Sequence, residues 1–288
     1  SLNRTVIDLI GISFEYLDLQ ISVQYLSVLL HFFDTDDLCL KRFLYNLLGK
    51  FIEKFEFDSL PESFTENQTE IETIPFLYTN LTQEINQFAQ NPYDYEFINC
   101  LLKFCLCLPP LNPPDIFNQI VFFLLIHEAF DHDESNVIHQ NSAKVMIHFC
   151  NPWKEIVTQN LLDVLAGKVL NEDLDFETKF QYTQVVLTYH TFQNSQFDTV
   201  VIQLCLEYLN NLNKDFTEFC ISKLHQIFIG FTNVNNVELL QESTHYLLYE
   251  IKESFVTLMD TIDSDSIIVQ IGEILQIIND FMKQALKE

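Results

Sequence analysis

Apolar residues spaced three and four apart recur from one end of this 288-residue chain to the other. Between 37 and 55, Leu40, Phe43, Leu44, Leu47, Leu48, Phe51, Ile52 and Phe55 keep that step, while Lys41, Lys50, Glu53 and Lys54 fall off it. Residues 215–231 repeat the pattern with Phe216, Phe219, Cys220, Leu224, Ile227, Phe228 and Phe231. Residues 264–287 do so with Ile267, Ile271, Ile274, Leu275, Ile278, Phe281 and Met282. This is the period of one buried face of an α-helix. Helix starts are marked too. Asn91-Pro92, Asn112-Pro113 and Asn151-Pro152 each set a capping side chain before a proline at the first helical position, where the missing N–H costs nothing. Asp215 with Glu218, and Asn235 with Glu238, have capping-box spacing. Together these signals predict about thirteen helices, at 4–18, 20–34, 37–55, 74–90, 93–108, 115–131, 135–150, 152–169, 175–192, 195–212, 215–231, 236–260 and 264–287.

The spacing constrains the architecture. Each helix with its turn takes roughly 22 residues, so consecutive pairs recur at roughly 40–45, a period of stacked helical repeats. Most connections are short, which makes neighbours antiparallel. A bundle of so many helices needs several long crossovers, and the chain offers one long loop. The expected fold is therefore all-α, a right-handed superhelix of antiparallel helix pairs running through 1–288 as a single array. An irregular helical bundle is the alternative. Five glycines are too few for a Rossmann-type enzyme or a β-sandwich. Two breaks interrupt the array. Residues 56–73 hold six acids and no base, and read either as an acidic binding loop or as a solvated insertion. Residues 108–114, with four prolines, cannot stay helical and read as a stiff elbow.

Catalytic and metal motifs are absent or fail on spacing. His127 and His132 flank Glu128 in a way that suggests a zinc-binding helix, but they stand five apart, about 140° around a helix, where four is required. Cys105 and Cys107 are separated by one residue in apolar surroundings and lack a second pair. Asp260, Asp263 and Asp265 lack the glycine and the closing glutamate of a calcium loop. No phosphate loop, nucleophile elbow or dinucleotide fingerprint occurs. The chain is read as a non-enzyme without cofactor or metal. A helical enzyme with a carboxylate or metal site is the opposing alternative. The seven cysteines, scattered through apolar helical stretches, read as reduced core thiols and point to cytoplasm or nucleus. The chain opens on Ser1 without a methionine and reads as a piece of a longer protein.

Charge gives the sign of a partner. Fifteen Lys and Arg stand against 41 Asp and Glu, a formal charge of −26. That excludes direct contact with nucleic-acid phosphates, which demands a cationic face, and disfavours anionic membranes; the longest apolar run is far too short to insert into a bilayer. Between Phe55 and Ala143 the only Lys or Arg is Lys103, against fourteen acids. Glu62, Glu66, Glu70, Glu72, Asp94, Glu96, Asp131, Asp133 and Glu134 are the candidate partner-binding residues among them. On a stacked array such acids add into an extended negative field that draws in a basic partner. The opposing reading is that they keep a chain with 27 Phe in solution.

With paired helices at this period, low glycine and turns such as Asn151-Pro152-Trp153-Lys154-Glu155, the chain resembles the HEAT/armadillo superhelical proteins over its whole length. It departs from them in having only Arg4 and Arg42, so the Asp–Arg ladder common in HEAT units is missing. Degenerate, acidic arrays of this kind look most like the karyopherin (importin-β/exportin) group. The resemblance implies a scaffold whose concave face holds a basic protein segment or a small GTPase, as in a nuclear transport receptor. A structural subunit of a phosphatase, chromosome or coat complex, gripping partners through Phe-lined grooves, is the alternative.

Overall fold

A computed structural model describes residues 5, 12, 16, 18–33, 35–66, 69–90, 94–110, 114–126, 132–193, 195–209, 214–234, 243–259, 262 and 264–285. Thirteen α-helices lie among the described residues, so the chain is all-helical apart from one small hairpin. The expected helix 4–18 lies almost wholly outside them.

The first helices are α1 (Leu19–Leu30), α2 (Leu38–Phe55), α3 (Thr73–Gln90), α4 (Tyr95–Cys107), α5 (Pro114–Ile126) and α6 (His132–His148). The apolar stripe expected in α2 is the buried one, with Leu40, Leu44, Leu47, Leu48, Phe51 and Ile52 in the core. Asp37 caps α2 by accepting from the Leu40 N–H at 3.2 Å, and Asp94 caps α4 by accepting from the Phe97 N–H at 2.9 Å. α4 stops at Leu108, ahead of Pro109. The elbow is tied where it is described: the Pro109 carbonyl accepts from the Tyr78 hydroxyl at 2.7 Å, and the Leu108 carbonyl lies 2.7 Å from His148 Nε2.

The stretch 56–73 is more ordered than its composition suggests. After a 3₁₀ turn, Phe57–Ser59, strands β1 (Ser63–Glu66) and β2 (Thr69–Glu72) pair antiparallel, Ser63 opposite Glu72 and Phe64 opposite Ile71. Alternation explains the hairpin. Phe64 goes inward against Phe76 and His31, with ring centroids 5.0 and 5.7 Å away, while Glu70 and Glu72 stay exposed. Glu56 leads into it with φ 67° and ψ 158°, a region that only glycine enters without strain.

A second departure comes after α6. The sequence places a helix start at Pro152; instead a short turn of helix, α7 (Cys150–Trp153), ends on Trp153, and α8 (Gln159–Asn171) starts after Thr158, which caps the Leu161 N–H. Trp153 is fully buried, stacked on Phe149 at 4.7 Å and met edge-on by Phe117 at 5.1 Å. Seating that ring fixes the turn, and the Asn-Pro signal just before it loses. The remaining helices are α9 (Phe176–Tyr189), α10 (Gln196–Tyr208), α11 (Lys214–Val234), α12 (Ser243–Leu258) and α13 (Asp265–Ala285).

The chain divides into two compact units, one of residues 1–157 with 174–181, the other of 158–173 with 182–288. In the first, α2 packs on α4 and α4 on α6, α3 packs on α5, and the pairs α3/α4 and α5/α6 touch. In the second, α8 packs on α10 and α10 on α12, α11 packs on α13, and α10/α11 and α12/α13 touch. Within each unit, then, helices two apart in the chain lie side by side in two rows. Polar pairs stitch the rows: Asn99 to Asn141 at 3.4 Å in the first unit, Ser222 to Gln270 at 3.0 Å in the second. Gly230 on α11 allows a close approach, since a Cβ there would sit 2.6 Å from the Phe192 ring.

Candidate functional site

Three clusters could carry chemistry. The first is the thiols. All seven cysteines are free, and burial raises the pKa of four of them. Burial pushes Cys100 up to about 12 against the opposing pull of Arg42 and Lys103, and Cys107 up to about 11. Cys105 and Cys205 are raised further by complete burial, Cys205 also by its contact with Cys220. A thiol in this state is a small apolar side chain, not a nucleophile.

The second cluster is His190 and Asp198 in the second unit. His190 Nε2 lies 2.8 Å from Asp198 Oδ1, and both side chains are buried. Asp198 also accepts the Ser195 N–H at 2.7 Å and the Gln193 N–H at 3.4 Å, and Lys223 donates to the His190 carbonyl at 3.1 Å. Every one of these bonds holds the turn between α9 and α10 in place. The dyad faces backbone, and its work is to satisfy that turn.

The third cluster is the acids, and the structure scatters those singled out from the sequence. Glu62, Glu70 and Glu72 gather, exposed, around the hairpin, where Ser63 Oγ donates to Glu70 at 2.5 Å. Glu66 closes β1 opposite Thr69. Asp94 is occupied as the α4 cap, and Glu96 pairs with Arg42. Asp133 and Glu134 fall in the first turn of α6, while Asp131, His127 and Glu128 lie outside the described residues. Glu84 is buried in the α3 stripe and paired with Lys41. Among the described residues no three His, Cys, Asp or Glu come together as a metal site requires, and no helix is long and apolar enough to cross a membrane.

Carboxylates converge on a concavity elsewhere, in the second unit. α10 and α12 enclose a groove of about 790 Å³. Glu207 lines its α10 wall; Glu250 and Glu253 line its α12 wall; Leu206 and Leu247 supply apolar lining. Among the described residues that line it, none is Lys, Arg or His. Helical spacing builds the α12 wall, because 246, 250 and 253 rise along one face. Tyr246 stands at its edge, 69 % exposed, one turn before Glu250. Interaction with the Glu250 carboxylate, by hydrogen bonding first and then by charge, lifts the phenol above its ordinary value. The ring thus stands near the carboxylate with much of its surface open to solvent. Sequence reasoning passed over this site because Glu207 and Glu250 are far apart in the chain and neither sits in an acidic run. The one local signal was Tyr246 and Glu250 at i, i+4.

No protein-family model matches the chain, and neither does any curated protein or solved structure.

Proposed function

We propose that the chain is a non-catalytic scaffold, a HEAT/armadillo-type α-solenoid that holds a basic segment of a partner protein on an acidic surface. The stacked-pair reading is supported by the two-row packing inside each unit, where helices two apart lie side by side. The sign of the partner is supported by the net charge of −26. One observation carries the binding reading: the α10/α12 groove, walled by Glu207, Glu250 and Glu253 and with no Lys, Arg or His among the described residues that line it. Carboxylates around a concavity focus a negative field there, which speeds encounter with a cationic segment and sets its register.

The test is the affinity of the full chain for a labelled Lys/Arg-rich peptide, read by fluorescence anisotropy. Binding is expected to weaken at least about ten-fold between low salt and about 1 M, where the screening length has shrunk to about 3 Å. Equal binding of a neutral twin of the peptide, or affinity indifferent to salt, overturns the reading.

A further inference from the structure

The groove carries more than the sign of its partner: its walls also discriminate between the two basic side chains, a specificity that rests on the basic-segment reading. On the α10 wall the lining runs from Thr199 to Glu207, and on the α12 wall from Tyr246 to Ser254. Eight residue steps along a helix cover about 12 Å. An extended chain rises about 3.3 Å per residue, so the groove seats about four extended residues. The α12 wall offers two features together. One is a pair of carboxylates one turn apart, Glu250 and Glu253. The other is the Tyr246 ring, exposed and one helical turn from Glu250 on the same wall. Lysine, a compact point charge, would use the carboxylates alone. A guanidinium would use both, lying flat on the ring face while its N–H fork meets a carboxylate. Leu206 and Leu247 would receive the aliphatic stem of such a side chain.

We propose that the α10/α12 groove is an arginine-selective seat for an extended segment of about four residues, in which a guanidinium stacks on Tyr246 and pairs with Glu250 or Glu253. The experiment compares three short labelled peptides, alike except that two central positions are Arg, Lys or Gln, against the full chain and four variants. The Arg peptide is expected to bind the full chain about three-fold or more tighter than the Lys peptide, the size of an exposed stacking contribution, and the Gln peptide weakest. E250Q/E253Q should weaken the Arg peptide about ten-fold. Tyr246→Ala should erase the Arg-over-Lys preference, whereas Tyr246→Phe, which keeps the ring, should retain it. E70Q/E72Q, on the hairpin, should change nothing.

Equal affinities for Arg and Lys peptides, or a preference that survives Tyr246→Ala, overturn the arginine seat and leave the basic-segment reading standing. Loss in E70Q/E72Q without loss in E250Q/E253Q moves the binding surface to the hairpin and overturns the groove. If neither basic peptide binds better than the Gln twin, both readings fall. All the substituted positions are solvent-facing or lie on the groove wall, and an unchanged helical circular dichroism spectrum confirms that each variant is folded.

Discussion

The acidic hairpin and the acidic groove are built in opposite ways. In the hairpin, Glu70 and Glu72 are neighbours in the chain and stand exposed on a two-stranded ribbon anchored by one inward ring, Phe64. Facing into water, they are screened individually. In the groove, Glu207 and Glu250 come from different helices, and apolar side chains lie beside the carboxylates. There the charges address a shared volume. Density of acids along a sequence thus measures how strongly a segment is solvated; convergence of acids in space measures what it can hold.

The sharpest way to strain this contrast is to cut the hairpin's anchor. Phe64→Ala removes a ring that is 4 % exposed and packed on Phe76 and His31. A loss of about 4 kcal/mol is expected by urea unfolding, the ordinary cost of a buried Phe truncation. Tyr246→Ala, in contrast, should stay within about 0.5 kcal/mol of the parent, because a ring this exposed adds little to the core. Similar losses at both positions would erase the distinction.

Alkaline pH probes the core of the unit that carries the hairpin. Burial raises Cys100 from 9.0 to about 12, so the folded chain keeps a proton that the unfolded chain gives up. The stability this adds is complete below about 9 and drains away as the pH climbs toward 12, at about 1.4 kcal/mol per unit. Urea unfolding should therefore show a loss on the order of 3 kcal/mol from this group by pH 11. Cys100→Ala should flatten that part of the slope; a slope unchanged in the variant would place the titration elsewhere. A smaller effect than this one has the opposite sign. Glu56→Gly relieves the strained conformation that leads into the hairpin and should raise stability by about 1 kcal/mol, seen as a higher midpoint at constant slope. A loss would show that the Glu56 side chain does more for the turn than its backbone costs.

How far the fold could be read depends on the range of each signal. The stripes of α2, α11 and α13 were legible to within a few residues, since burying a face of a helix demands a period that no other structure shares. The cap before α2 and the halt before Pro109 are equally local, arising from one side chain and one backbone N–H. Elsewhere a distant partner decided. Trp153 found its place between Phe117 and Phe149, and that contact moved a helix start from 152 to 159. Phe64 found Phe76 and turned an apparent loop into paired strands. Of the acids picked out by density, Asp94 and Glu96 were engaged by a cap and by Arg42, tasks that a count of charges does not reveal.

The amino-acid order alone settled that this chain is helical, that its core is apolar and thiol-bearing, and that its net charge is strongly negative. Each of those depends on contacts within a turn or two, or on sums that ignore position. Which carboxylates face one another was decided only when α10 came to rest beside α12. Electrostatic fields add according to distance through space, and two residues remote in the chain have no fixed distance until the helices that carry them are packed.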